Sequence, residues 1–157
     1  MTLVPRNIQL ALVVGKFNSE ITDKMLQQAL KNAAALGASV TYICKVPGAY
    51  DMPLTIQTLL EKNNVDAVVT LGAIIQGETK HDEVIAHALA KQMSELSLQY
   101  RKPVTLGVAG PGVTWEQAEA RIGEYAERSV TAAVSMVLAQ RQLKKTRQVS
   151  SRPMVVE

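Results

Sequence analysis

The stretch Val65-Asp66-Ala67-Val68-Val69-Thr70-Leu71, closed by Gly72, decides the fold. Its apolar residues fill neighbouring positions, so they point to both faces of an extended chain. A strand apolar on both faces belongs in the middle of a parallel sheet covered on each side. Upstream, Ile8-Gln9-Leu10-Ala11-Leu12-Val13-Val14 ends at Gly15 and has the same character. After it the period changes: Ile21, Met25, Ala29, Ala33 and Leu36 fall at helical spacing, with Ser19 as the predicted N-cap and Gly37 as the stop. Val40 to Val46 reads as the second strand, closed by Pro47-Gly48. A helix opened by Asp51 or Met52, with Pro53 in its first turn, runs to about Lys62. Downstream, His81 to Tyr100 is a long helix, Pro103 to Val108 a fourth strand, and Thr114 to about Leu143 a last helix. Strand and helix therefore alternate four times, which predicts an α/β, flavodoxin-like, doubly wound three-layer sandwich around a four-stranded parallel sheet. Residues 1–143 form one domain on this reading, and 144–157, where the periodicity stops, a mobile basic tail.

Composition narrows the function classes. Apolar residues make up 47% of the chain but aromatics only 4%, so the core is built from small aliphatic side chains. The net charge of +3 is modest, and Lys144-Lys145-Thr146-Arg147 concentrates much of the excess. A nucleic-acid binder would show a denser basic stripe or interleaved aromatics. Cys44 is the single cysteine, so no internal disulfide forms; within Val40–Val46 it reads as a small core residue. There is no leader pattern and no apolar run of membrane length, so the expectation is a cytoplasmic protein without membrane contact.

In a doubly wound sheet the ligand site lies beyond the carboxyl ends of the strands. The segments that matter are then Gly15–Asn18, Pro47–Asp51, Gly72–His81 and Gly107–Thr114. Gly72–His81 (GAIIQGETKH) joins two glycines, a Thr, a Lys and a His to the start of a long helix. Backbone N–H groups there, with a hydroxyl and the positive dipole end, suit an anion; an ordinary capped turn is the plainer role. His81 beside such a site could shuttle protons near neutral pH. His87, six residues on, points elsewhere and reads as structural. The chain offers no ligand set for a metal.

Phe17 is the chain's sole phenylalanine and sits in a loop, either as a hydrophobic staple or as a face for a flat heterocycle. Tyr50-Asp51 offers a second ring and a carboxylate at the same end of the sheet. Arg121 and Arg128, seven apart on one predicted helix, would share a face within about 20° and lie roughly 10 Å apart. Either could be solvated or could grip a phosphate through bidentate bonds. Trp115 reads as packing.

In chain order, Lys16-Phe17-Asn18, then Val46-Pro47-Gly48-Ala49-Tyr50-Asp51-Met52-Pro53, then Leu71 to His81, then Glu116-Gln117-Ala118 with Ala120-Arg121, resemble the lumazine synthase family. Gly77-Glu78-Thr79-Lys80-His81-Asp82-Glu83 and the Gly107–Thr114 segment look closest to its archaeal branch. The resemblance covers roughly residues 8 to 142. It implies a transferase of riboflavin biosynthesis that joins 5-amino-6-ribitylamino-2,4-pyrimidinedione to 3,4-dihydroxy-2-butanone 4-phosphate, releasing phosphate and water, without a cofactor. It further implies that Phe17 stacks on the pyrimidinedione, and that Ala49, Tyr50 and Asp51, with backbone of Ala73, Ile74 and Ile75, hold the ribityl chain and ring edge. Glu78 and Thr79 would sit against the keto-phosphate, Arg121 would bind its phosphate with Arg128 as a weaker candidate, and His81 would donate and accept protons. Leu106 would pack on the pyrimidine from an adjacent subunit.

The resemblance also implies a homo-oligomer built on pentamers, in some members a sixty-subunit icosahedral shell, with riboflavin synthase as a candidate partner. A last helix spanning about 45 Å, long for a domain whose radius of gyration is about 15 Å, agrees with association. Bacterial members usually carry Arg where Lys16 stands, often an aromatic at Leu106, and many a small residue at Glu78. Those departures keep open a shell-forming homologue with impaired activity. A flavin or phosphate carrier is the other alternative, although Gly15-Lys16-Phe17-Asn18 lacks the Ser/Thr-rich phosphate loop such a protein needs.

Overall fold

A computed structural model describes residues 7–147 and 151–157. Strand β1 (Gln9–Gly15) leads into helix α1 (Ser19–Ala35), and β2 (Ser39–Val46) into α2 (Met52–Leu60) through a 3-10 turn at Ala49–Asp51. Then follow β3 (Ala67–Ile75), α3 (His81–Tyr100), β4 (Val104–Val113), α4 (Trp115–Ala120) and α5 (Ile122–Lys145). All neighbouring strands are parallel, in the order β2-β1-β3-β4.

The two-sided apolar strands explain the layering. Leu10, Leu12 and Val14 of β1, with Ala67, Val69 and Leu71 of β3, pack against α1 and α5. Ala11 and Val13 of β1, with Val68 and Ile74 of β3, pack against α2 and α3. Every one of these side chains is buried. The sheet is thus covered on both faces, as the reading of Val65–Leu71 requires. Thr70, the polar residue inside that stretch, is fully buried and donates to the Thr105 carbonyl at 2.8 Å, so its hydroxyl is satisfied within the sheet.

Several boundaries move. Strand β3 runs past Leu71 to Ile75 and β4 past Val108 to Val113, because Ala73 and Ile75 pair with Ala109 and Val113. Much of each segment read as a loop is therefore sheet. The α1 cap is Asn18 rather than Ser19; it adopts a left-handed conformation (φ 60°), which Asn tolerates better than most residues. The predicted last helix is two helices, α4 and α5, broken at Arg121 (φ −115°, ψ 16°). Trp115, Ala118, Ile122 and Ala126 keep helical spacing across the break and all pack on one core, so periodicity cannot reveal it. Arg121 therefore stands at the N-cap of α5, where its carbonyl accepts the Tyr125 N–H at 3.0 Å, and Arg128 lies inside that helix.

Two further differences are smaller. Cys44 is half-buried on the edge strand β2, packed against the second core cluster rather than inside it. Helix α5 continues to Lys145, into the segment expected as tail, and residues 148–150 of that segment lie outside the described ones.

Candidate active site

Strand β1 is where the chain's path reverses: its crossovers lead to β2 on one side and, after β2, to β3 on the other. The crevice beyond the carboxyl ends of β1 and β3 is the expected ligand position. A cleft of about 310 Å³ opens there, lined by Gly15 from β1, Phe17 and Asn18 from the next loop, Gly48 and Ala49, Gly72 to Ile75 from β3, and Gly77, Thr79, His81, Asp82 and Ile85.

Local chemistry holds Phe17 at its mouth. Lys16 N–H donates to the Val46 carbonyl at 2.8 Å and Phe17 N–H to the Pro47 carbonyl at 2.9 Å, tying the first loop to the end of β2. Asn18 Nδ2 donates to the Ala73 carbonyl at 3.0 Å, tying the same loop to β3. The Phe17 ring rests against Gly48, where an added Cβ would lie 2.6 Å and 2.8 Å from two ring carbons. Asp51 in turn fixes Gly48 by accepting its N–H at 3.0 Å. Despite these anchors the ring is 66% exposed. The side chain thus borders the cleft and is not taken up by the core.

His81, which also borders the cleft, opens α3. Its backbone N–H donates to Thr79 Oγ1 at 3.3 Å, so the Thr hydroxyl braces the helix start while its side chain borders the cleft. Glu78 and Lys80 are exposed on the same turn. His87 is exposed on α3 and does not border the cleft.

The remaining candidates separate. Ala49, Ala73, Ile74 and Ile75 line the cleft as expected. Tyr50 and Asp51 border an adjoining groove with Pro53, Leu54, Ala88, Leu89 and Gln92. Leu106, 51% exposed, lies on the edge strand β4 in a different depression. Arg121 is exposed at the α4–α5 break, and Arg128 pairs with Glu124 at 2.9 Å on the surface of α5. Among the described residues that border the cleft there is no lysine or arginine. Nor does any group of three His, Cys, Asp or Glu among the described residues converge to hold a metal ion.

Sequence reasoning passed over Asn18, Gly48, Asp82 and Ile85. The signal for Asn18 was its place between a loop aromatic and a helix start, where left-handed caps occur. Asp82 gave none, because an acid in a first helical turn is ordinarily solvated.

A crevice at the switch point of a parallel sheet, bordered by an exposed aromatic ring and an imidazole, is the arrangement of an α/β enzyme that takes a small molecule. Comparison with known proteins is more specific. Residues 7–141 match the model of the 6,7-dimethyl-8-ribityllumazine synthase family. Proteins carrying that name are similar throughout: one from Saccharolobus islandicus is 51% identical over 92% of this chain and 94% of its own length. Another from Pyrobaculum arsenaticum is 49% identical over 92% and 96%, and one from Sulfolobus acidocaldarius 50% identical over 90% and 88%. The chain belongs to the 6,7-dimethyl-8-ribityllumazine synthase family, transferases of riboflavin biosynthesis.

Proposed function

We propose that this chain condenses 5-amino-6-ribitylamino-2,4-pyrimidinedione with 3,4-dihydroxy-2-butanone 4-phosphate to give 6,7-dimethyl-8-ribityllumazine. The observation that carries this reading is that Phe17 and His81, far apart in sequence, border one cleft. The ring amine attacks the ketone carbon and water leaves, giving a Schiff base. Inorganic phosphate is then eliminated, and the ribitylamino nitrogen closes the second ring with loss of a second water. An amine and a ketone already condense in water, so the protein's share is to hold them together and to move protons.

In this reading Phe17 stacks on the pyrimidinedione and the backbone of Ala73, Ile74 and Ile75 meets its edge. The ribityl chain runs past Ala49 toward the groove of Tyr50 and Asp51. Glu78 and Thr79 face the keto-phosphate, and His81 donates and accepts protons. The phosphate needs a cation, and the described residues that line the cleft of one chain include none. Arg121 of a neighbouring subunit supplies it, with Leu106 of that subunit covering the pyrimidine. Arg128 is the weaker candidate because its guanidinium already meets Glu124.

The proposed assembly into pentamers would meet the same need. Leu98 at 78% exposed, with Leu106 and Met136 beside it around the β4 edge, forms an apolar surface that a partner would cover. Larger shells, a cytoplasmic location, a single catalytic domain with a basic C-terminal tail, and hand-over of product to riboflavin synthase complete the proposal. Mixing purified protein with the two synthetic substrates and following the lumazine chromophore tests it. Product formation well above the uncatalysed rate supports the assignment; a rate no different from buffer overturns it and favours a shell-forming or binding homologue.

A further inference from the structure

The turn that carries His81 is held in an unusual way. Residues 76 to 81 are all exposed, and nothing stands within 4 Å of where a Gly77 side chain would begin. Yet the turn is pinned at both ends to two adjacent residues of β4. At its start, Gln76 N–H donates to the Val113 carbonyl at 2.8 Å. At its end, Asp82 Oδ2 accepts the Gly112 N–H at 2.9 Å, across thirty positions of sequence.

Both halves of the second pin depend on residue type. Gly112 is in the left-handed region (φ 74°), which glycine enters without strain and which sets the direction of its N–H. Asp82 is only 6% exposed although it lies in the first turn of a helix whose neighbouring positions are open to solvent. The strand end that receives the pins is itself fixed, since Gly110 (φ 109°) packs so closely on β3 that a Cβ there would lie 2.4 Å from the Ile74 carbonyl oxygen.

We infer that Asp82 is a positioning residue: its carboxylate clasps the start of α3 to Gly112 and thereby fixes where the adjacent His81 stands in the cleft. The clasp acts through His81 and not on substrate. Its effect on turnover rests on the function proposed above, whereas its effect on the turn does not.

Hydrogen exchange on the full-length protein tests the clasp directly. Asp82→Ala removes a charge-assisted bond, and the Gly112 amide that it holds, with the Gln76 amide at the other pin, should exchange roughly tenfold faster or more, with β1 and the body of β3 unchanged. Asp82→Asn keeps an acceptor oxygen and should restore most of the wild-type protection. Unchanged exchange in the Ala variant, or acceleration spread over the core strands, overturns the inference. In turnover, Asp82→Ala should lower kcat on the order of 10- to 100-fold at constant KM for the pyrimidine, the Asn variant should recover most of it, and in a His81→Ala background Asp82→Ala should add nothing. A full additional loss in that background overturns the coupling. Because exchange needs no substrate, a clasped turn in a protein that makes no lumazine counts against the proposed function alone.

Discussion

Replacing Phe17 with alanine separates a binding aromatic from a structural one. Phe17 is 66% exposed, borders the cleft and rests against Gly48, so little apolar burial is lost with it. Substitutions at such surface positions usually change stability by no more than about 0.5 kcal/mol. Stacking a heterocyclic base on an aromatic side chain contributes about 1–3 kcal/mol, which is roughly 5- to 150-fold in binding. Phe17→Ala should therefore raise KM for the ribitylamino-pyrimidine by that factor, leave KM for the keto-phosphate nearly unchanged, and hold Tm within a degree or two. Phe17→Tyr keeps the face and should keep most of the affinity. Gly48→Ala offers an independent perturbation, because its new methyl would overlap two carbons of the ring and push it off its seat. It should raise the same KM by a smaller factor. Steady-state kinetics at saturating keto-phosphate, with a thermal melt as control, reads all three. Unchanged pyrimidine KM in Phe17→Ala, or a fall in Tm large enough to account for the loss, refutes the stacking role.

Other perturbations follow from the same geometry. His81→Ala should slow single-turnover lumazine formation by about 10²–10⁴-fold and leave residual activity, since holding the two substrates together survives the change; wild-type kcat would remove the proton-transfer role. Arg121→Ala should chiefly raise KM for the keto-phosphate, and co-assembly of Arg121→Ala with His81→Ala subunits should recover part of the activity if one subunit lends its arginine to the next. Strictly no recovery in verified mixed oligomers would place the phosphate cation elsewhere. Gly107→Ala should destabilise the fold by about 1–3 kcal/mol, read as a drop of several degrees in Tm, because the new Cβ would lie 2.4 Å from the Thr70 carbonyl oxygen and 2.7 Å from Ser129 Oγ.

The sheet and its layers were legible because Val65–Leu71 and Ile8–Val14 put apolar side chains on both faces, which favours a parallel sheet covered on each side. The ends of strands and helices were less so. Ala73, Ile75 and Val113 extend the sheet through backbone pairing, which leaves no mark on side-chain pattern. The α4–α5 break hides because its apolar positions keep their phase, with Gly123 the single local hint. In the site, Phe17 and His81 stood out as the sole phenylalanine, placed in a loop, and an imidazole at a helix start, both at the carboxyl edge. The motif order carried the pairing of these two with Ala49 and Ala73 to Ile75. Asp82 did not stand out, since a buried acceptor for a distant glycine N–H looks in sequence like any acidic first turn. Arg121 and Leu106 lie outside this chain's own cleft, and the roles proposed for them require a neighbouring subunit.

A crystal structure of the protein with a non-reactive ribityl-pyrimidinedione analogue tests the central claim most directly. The account predicts the flat ring against the Phe17 face, its edge at the backbone of Ala73 to Ile75, and the position of the missing keto-phosphate between it and His81. An analogue bound at any other surface, with this crevice holding only solvent, would contradict it.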